Sequence, residues 1–315
     1  VHRFSQDVIT ICDRALLHVG GAGRQLAVAA LDRPRQDGTN VIAFNAKGDE
    51  IWSQSVSNHD LVQRWPDCGG SLYWACRRLG VGNLDGEPGD ELAVAANDAA
   101  DYPTRISVIN PRDGAVISTF WHMGQFTSLW ILPDFLGPGR AAILARGSNN
   151  KLDGFDKPLP GDAEPYTGCE VVDVIVVLDP RKMDGLGPPR IDRSRVPIGP
   201  IAPYAYAFLE QPQSVASATQ SRDGQTETVP PIVPGPLTIR EITPSAAVSA
   251  GREPFLRVSI GRKGASEDGG WIFTLDRNLQ LRHVAPVDGE PVCPNDDYWR
   301  TRWRPIIQNG EYVDE

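Results

Sequence analysis

The segment Asn83-Leu84-Asp85-Gly86-Glu87-Pro88-Gly89-Asp90-Glu91 places side-chain oxygens at its first, third, fifth and ninth positions, on Asn83, Asp85, Glu87 and Glu91. Hard cations such as calcium take several oxygen ligands from alternate side chains plus a backbone carbonyl, with glycine letting the loop curl inward. Gly89 offers that carbonyl at the seventh position, and Gly86 and Gly89 supply the backbone freedom. The segment is too short for an EF-hand, because Leu92-Ala93-Val94-Ala95-Ala96 reads as a strand and no glutamate stands at position twelve. The expectation is a loop between two strands that holds one Ca2+. The competing reading is that Asn-x-Asp-Gly makes a tight turn and nothing more.

Other residue types that do chemistry are present without the spacing that chemistry needs. His2, His18, His59, His122 and His283 include no two at metal-ligand spacing, which argues against zinc. His18 lies in an apolar strand and is expected to be a hydrogen-bonded core residue, whereas His122 follows Trp121 at a strand end and is a candidate ligand contact. There is no Gly-x-Ser-x-Gly elbow, and Val19-Gly20-Gly21-Ala22-Gly23 is followed by a strand rather than the helix a dinucleotide site requires. Paired carboxylates for glycoside cleavage are defined by their separation in space. Asp98 with Asp101 and Asp153 with Asp156 are the candidates, and ordinary solvated loop acids fit the same residues.

The composition bounds the elements that must position these groups. A formal charge of −9 argues against a nucleic-acid partner. No apolar run approaches the ~20 residues of a membrane helix, so no membrane insertion is expected within this chain. Gly 31 and Pro 27 are high and Met 2 is low, as in strands broken by frequent turns. Five cysteines do not make a disulfide framework. Cys68 and Cys76 either close a small loop or pack as two thiols.

Internal repetition organises the rest. Four hairpins align: Val41 to Trp52, Ile106 to Ile117, Val174 to Lys182 and Trp271 to Leu281. Each follows an apolar strand (Gln25 to Ala30, Glu91 to Ala96, Arg140 to Ala145, Pro254 to Ile260), and before those come Leu16 to Val19, Leu79 to Val81, Leu129 to Leu132 and Ala246 to Val248. Four antiparallel strands per unit make a propeller blade. The interval before the last unit is about twice the others, which leaves room for a fifth, degenerate unit between 190 and 233 with Tyr204 to Leu209 as a strand. The expected fold is all-β, a single β-propeller domain over 1–315 with about five blades, or part of a six- or seven-bladed ring. Val8 to Ile11 and Trp303 to Ile307 are expected to complete one blade jointly. Insertions are read at about 147–170 and at about 211–236, the second too poor in large apolar groups to be held tightly.

Gly82-Asn83-Leu84-Asp85-Gly86-Glu87-Pro88-Gly89-Asp90-Glu91-Leu92-Ala93-Val94 resembles the Gly-Asp-x-Asp-Gly-Asp-Gly-x-x-Asp/Glu-Leu-x-Val repeat of the FG-GAP and VCBS β-propellers, with Asn83 and Glu87 where that repeat has Asp. The resemblance implies a binding or interaction module outside the cell or in its envelope, with a structural calcium site at Asn83, Asp85, Glu87, Gly89 and Glu91. The corresponding loops Gly20-Gly21-Ala22-Gly23 and Asp134 to Gly139 lack the carboxylates, so at most one ion is expected. Propellers also host polysaccharide lyases and glycoside hydrolases, which is the alternative function.

Strand alternation puts the calcium loop on the same face as the hairpin turns, and the longer connections on the opposite face. Loops held on a rigid scaffold gather binding residues. That opposite face carries Trp65, Tyr73, Trp74, Asp98, Asp101, Tyr102, His122, Asn149, Asn150 and Tyr166, a mixture of aromatic, amide and acid groups suited to a carbohydrate or a protein segment.

Overall fold

The computed structural model describes residues 10–20, 24–32, 39–56, 74–98, 103–149, 172–183, 185–186, 204–209, 218–222, 225–229, 237–244, 254–262, 270–287, 299–300 and 303–313. The chain divides into two compact units, one of Val1–Val171, Ile175–Tyr204 and Asn309–Glu311, the other of Val172–Val174, Ala205–Gln308 and Tyr312–Glu315.

In the first unit, β1 (Thr10–Val19), β2 (Arg24–Asp32), β3 (Thr39–Phe44) and β4 (Glu50–Val56) form one antiparallel sheet in chain order. The next sheet takes β5 (Trp74–Gly82), β6 (Glu91–Asp98), β7 (Pro103–Ile109) and the first half of β8 (Val116–Gly137). The second half of β8 starts a third sheet with β9 (Arg140–Asn149) and β10 (Val172–Leu178). Where two strands were expected, one strand therefore serves two sheets. Gly124 makes the transfer possible: its φ is +146°, and a Cβ there would lie 1.8 Å from the carbonyl oxygen of Ser148. Gly147 stands equally close to Gln125, so β9 continues to Asn149, three residues into the stretch read from sequence as an insertion. A short β11 (Gly185–Leu186) pairs in parallel with Phe120 and Trp121 of β8.

Burial follows from the stacking of these sheets. In β2, Leu26, Val28 and Ala30 are buried while Gln25 and Ala27 are exposed, the period of a sheet with one covered face. Leu92 to Ala96 of β6 are buried without alternation, as expected of a strand covered on both sides. Leu17, Val19, Leu26, Val28, Val41, Ala43 and Trp52 of the first sheet share a core with Leu92, Val94, Ala96, Ile109 and Trp121 of the second. The Trp52 indole crosses between them and donates to the Pro111 carbonyl at 2.8 Å. On the other side β5 lies against the second half of β8, close enough that a Cβ at Gly82 would meet Ile131 at 2.7 Å.

In the second unit, β12 (Ala205–Leu209) comes first, followed by the hairpin β13 (Ala218–Arg222) and β14 (Gln225–Val229), which lies inside the expected second insertion. β15 (Leu237–Pro244), β16 (Phe255–Arg262), β17 (Trp271–Asp276) and β18 (Leu281–Pro286) make a further four-stranded antiparallel sheet in chain order. β19 (Trp303–Gln308) pairs antiparallel with β12 and is flanked on its other edge by β20 (Glu311–Tyr312). Trp303 to Ile307, expected to complete one blade jointly with Val8 to Ile11, pair instead with the Tyr206 to Leu209 strand, while Thr10 and Ile11 stand in the β1–β4 sheet and Val8 and Ile9 lie outside the described residues. Trp271, Phe273, Trp299 and Trp303 pack as an aromatic core with ring centroids 4.8 to 5.9 Å apart.

The repeat is visible in details that no alignment of apolar residues could supply. The first strand of each sheet carries a bulge at the same place: between Ile11 and Asp13, Cys76 and Arg78, Phe126 and Ser128, and Ile239 and Glu241. The turn after each third strand opens on an Asx residue that accepts the backbone N–H two positions on: Asn45 from Lys47, Asn110 from Arg112, Asp179 from Arg181 and Asp276 from Asn278. A turn carbonyl in three cases receives a side-chain donor from outside its own sheet, Pro111 from Trp52, Pro180 from Ser118 and Leu279 from Trp303. Antiparallel sheets of four strands in chain order, stacked face to face, are propeller blades. The fold class is all-β with four to five such blades.

One first strand differs from expectation. It is β15, at Leu237 to Pro244, whereas Ala246 to Val248 lie outside the described residues. The bulge explains why it was hidden: buried Leu237, Ile239 and Ile242 are spaced by two and then three, which breaks the alternation that signals a strand.

Candidate functional site

The 83–91 segment joins β5 to β6, as its sequence implies. Leu84 is its buried anchor, 2% exposed, so Asn83, Asp85 and Glu87 point outward. Asn83 and Asp85 each commit a side-chain oxygen to the loop itself. Asn83 Oδ1 accepts from the Gly86 N–H at 2.7 Å, its amide donates to the Glu87 carbonyl, and Asp85 Oδ1 accepts from the Glu87 N–H at 2.7 Å. Glu91 is buried and turned back under the loop, its Oε2 accepting from Leu84 N–H at 2.7 Å and Asp85 N–H at 3.3 Å. Burial raises the Glu91 pKa above the ordinary carboxylate value, the Leu84 N–H opposes that rise, and the Asp85 and Asp90 charges add to it.

Two neighbours hold the loop from outside. Asp90 is bonded to the end of β1: its N–H donates to the His18 carbonyl at 2.8 Å, and its Oδ2 accepts from the His18 N–H at 2.9 Å and meets the ring Nδ1 at 3.0 Å. His18 is therefore hydrogen-bonded, as expected, but exposed rather than in the core, because Leu17 and Val19 take the inward positions of β1. From the other side, Arg181 after β10 reaches over with one guanidinium nitrogen, Nη2, which donates to the Asp85 carbonyl at 2.6 Å and to the Gly139 carbonyl at 3.1 Å. Gly86, at φ +87°, leaves just enough room: a Cβ would stand 2.5 Å from that nitrogen.

Among the described residues, no three His, Cys, Asp or Glu side chains are grouped to hold a metal ion. Glu91 is folded beneath the loop, and a guanidinium sits on the Asp85 carbonyl.

No protein-family description matches the chain, and no curated protein matches it. Among solved structures, one described as "Structure of Dos1 propeller" aligns with a TM-score of 0.40 and 8% identity, covering 89% of this chain and 48% of that one. The chain thus spans about half the length of that structure. At that level the likeness bears on neither fold nor function.

The opposite end of the blades is polar and buried. Asn97 pairs across to Thr104, Thr104 to His122, and Gly124 to Asn149, placing four polar residues in adjoining rows at the ends of β6, β7 and β9 and where β8 passes from one sheet to the next. All are nearly sealed, His122 at 1% exposure and Asn97, Thr104 and Asn149 at 0%. Thr104 Oγ1 donates to the Gly124 carbonyl at 2.5 Å, and the His122 ring stacks on Phe126 with centroids 4.5 Å apart. Burial lowers the His122 pKa to about 3, so the ring is neutral at ordinary pH. Arg105, beside them, lies over the Trp121 ring.

Of the residues proposed to contact a ligand, His122 and Asn149 are brought to this end. Trp74 and Asp98 lie in strands at the same end without described side chains, and Trp65, Tyr73, Asp101, Tyr102, Asn150 and Tyr166 fall outside the described residues, as do Asp153, Asp156 and Cys68. Sequence reasoning passed over Arg181, Asn97 and Thr104. Arg181 had a signal, since it occupies the place in its Asx turn that Arg112 and Lys47 occupy in theirs.

Proposed function

We propose that the chain is a non-catalytic interaction module that takes up a segment of another protein at the blade end where β6, β7, β8 and β9 carry Asn97, Thr104, His122 and Asn149. The observation that carries this reading is the contrast in how the two ends spend their polar groups. At the turn end the loop residues bond one another and the adjoining blades. At the other end polar side chains are sealed into the strands, which costs stability unless they are bonded, and in sequence the connections bearing Tyr102 and Asn150 follow directly from these strands. Loops held on a scaffold are where binding residues gather.

The test is selection of a displayed peptide library against the full chain, repeated with Tyr102→Ala and Asn150→Ala and, as a control at the turn end, Lys47→Ala. Peptides lost with the first two variants and kept by the control support the proposal. Peptides that depend on Lys47, or turnover of a polysaccharide panel by the wild-type chain, overturn it; binding to that panel without turnover moves the ligand class to carbohydrate.

A further inference from the structure

We infer that Arg181 is the built-in cation of the 83–91 loop, so that this loop folds against its neighbouring blade without a bound metal. An oxygen-rich loop needs a positive centre to draw its carbonyls together, and one is present. A single guanidinium nitrogen holds the Asp85 carbonyl at 2.6 Å and the Gly139 carbonyl at 3.1 Å, two oxygens from the β5–β6 and β8–β9 connections of successive blades. Charge-assisted bonds of this length are about twice as strong as neutral ones. Three further observations fit. Gly86 is the residue type that leaves space for that nitrogen. Asp179 fixes the root of the Arg181 turn, accepting its N–H at 3.2 Å while being held by Arg140 at 2.7 Å. The loop's own N–H groups on Leu84, Asp85, Gly86 and Glu87 are all satisfied by Glu91, Asn83 and Asp85. A metal confined to the β5–β6 loop would order that loop alone, whereas Arg181 also ties it to the next blade.

The experiment is thermal unfolding of the full chain in excess chelator and across a calcium titration, for the wild type, Arg181→Ala and Arg181→Lys. The wild type is expected to melt at one temperature throughout, and Arg181→Ala to melt about 2–4 °C lower, with Arg181→Lys between them because it keeps the charge and loses the planar geometry. Amide exchange is the second readout: the Leu84 to Glu87 amides should exchange faster in Arg181→Lys while those of β2 do not. A saturable rise of the wild-type melting temperature with calcium overturns the inference and restores the metal. So does an Arg181→Ala protein that melts with the wild type, or an Arg181→Lys protein with unchanged exchange.

Discussion

The two ends of the first-unit blades solve the same problem in opposite ways. At the turn end, the Asx turns and the 83–91 loop satisfy exposed polar groups with partners a few positions away, as Lys47 by Asn45 and Gly86 by Asn83, and Glu91 is the buried member. At the other end polar groups are buried and meet groups on the neighbouring strand, as Thr104 of β7 meets Gly124 of β8. Locally satisfied groups tolerate change, because losing one bond exposes the remaining partner to water; sealed groups do not, because the orphaned partner keeps its full desolvation cost. Substitutions at the two ends should therefore differ in size even when they look alike.

The largest difference is expected between glycines. Gly124→Ala would put a Cβ 1.8 Å from the Ser148 carbonyl oxygen at a φ of +146°. Backbone cannot step aside inside a paired strand, so the loss should exceed about 3 kcal/mol in denaturant unfolding. Gly139→Ala, at φ +66° with nothing within 4 Å of the added carbon, should cost about 1–2 kcal/mol, the left-handed penalty alone. Equal losses would show that the sealed end relaxes and that the contrast is unfounded.

Next in size is Trp52, which links the core of the first two sheets to the turn end. It is 7% exposed, donates to Pro111, and lies 2.8 Å from where a Gly114 Cβ would be. Trp52→Ala should cost about 3 kcal/mol and Trp52→Phe, which keeps most of the packing and loses the hydrogen bond, about 1 kcal/mol. A phenylalanine variant as unstable as the alanine one would move the weight from packing to the bond.

How much of this was legible in the sequence follows the same division. The 83–91 loop and the Asx turns at Asn45, Asn110, Asp179 and Asp276 are local, so their residues announce them, and the four strand–turn–strand patterns gave the blade repeat. What stayed hidden depends on groups far apart in sequence. Arg181 acts on Asp85, the sealed row joins Asn97 to Asn149, and the bulge in β15 disrupts the alternation by which strands are found. His18 and His122 show the exchange plainly: the one expected in the core is exposed, and the one expected to reach a ligand is buried.

His122 sharpens the comparison by pH. Its folded pKa of about 3 lies below the ordinary value of 6.5. Below pH 6.5 the unfolded chain therefore takes up a proton that the folded chain refuses, and stability falls with pH from there until about 3. Between about pH 8 and about pH 5 the loss from this group should reach about 2 kcal/mol. His122→Phe should flatten that limb, measured as the slope of unfolding free energy against pH. Glu91 acts in the opposite sense: with its pKa raised, its contribution is fully present below 4.5 and is lost as pH rises through the folded value. A slope that persists in His122→Phe would assign the acid sensitivity elsewhere.

The smallest effects belong to the Asx turns. Asn45 Oδ1 accepts from Lys47 at 2.8 Å and from Asp49 at 3.0 Å, and Asn110 Oδ1 accepts from Arg112 at 2.9 Å, all at exposed sites. Asn45→Ala and Asn110→Ala should each cost about 0.5–1 kcal/mol. Since the turns sit in different blades and share no hydrogen-bond partner, the double variant should show the sum of the two to within about 0.5 kcal/mol. Additivity here, set against non-additivity for Thr104→Val combined with His122→Phe at the sealed end, would establish that the turn end is a set of independent local devices and the other end one coupled unit. A coupled pair of turns would mean instead that the blades transmit strain through the Trp52 to Pro111 bond, and the division between the two ends would have to be redrawn along the blades rather than across them.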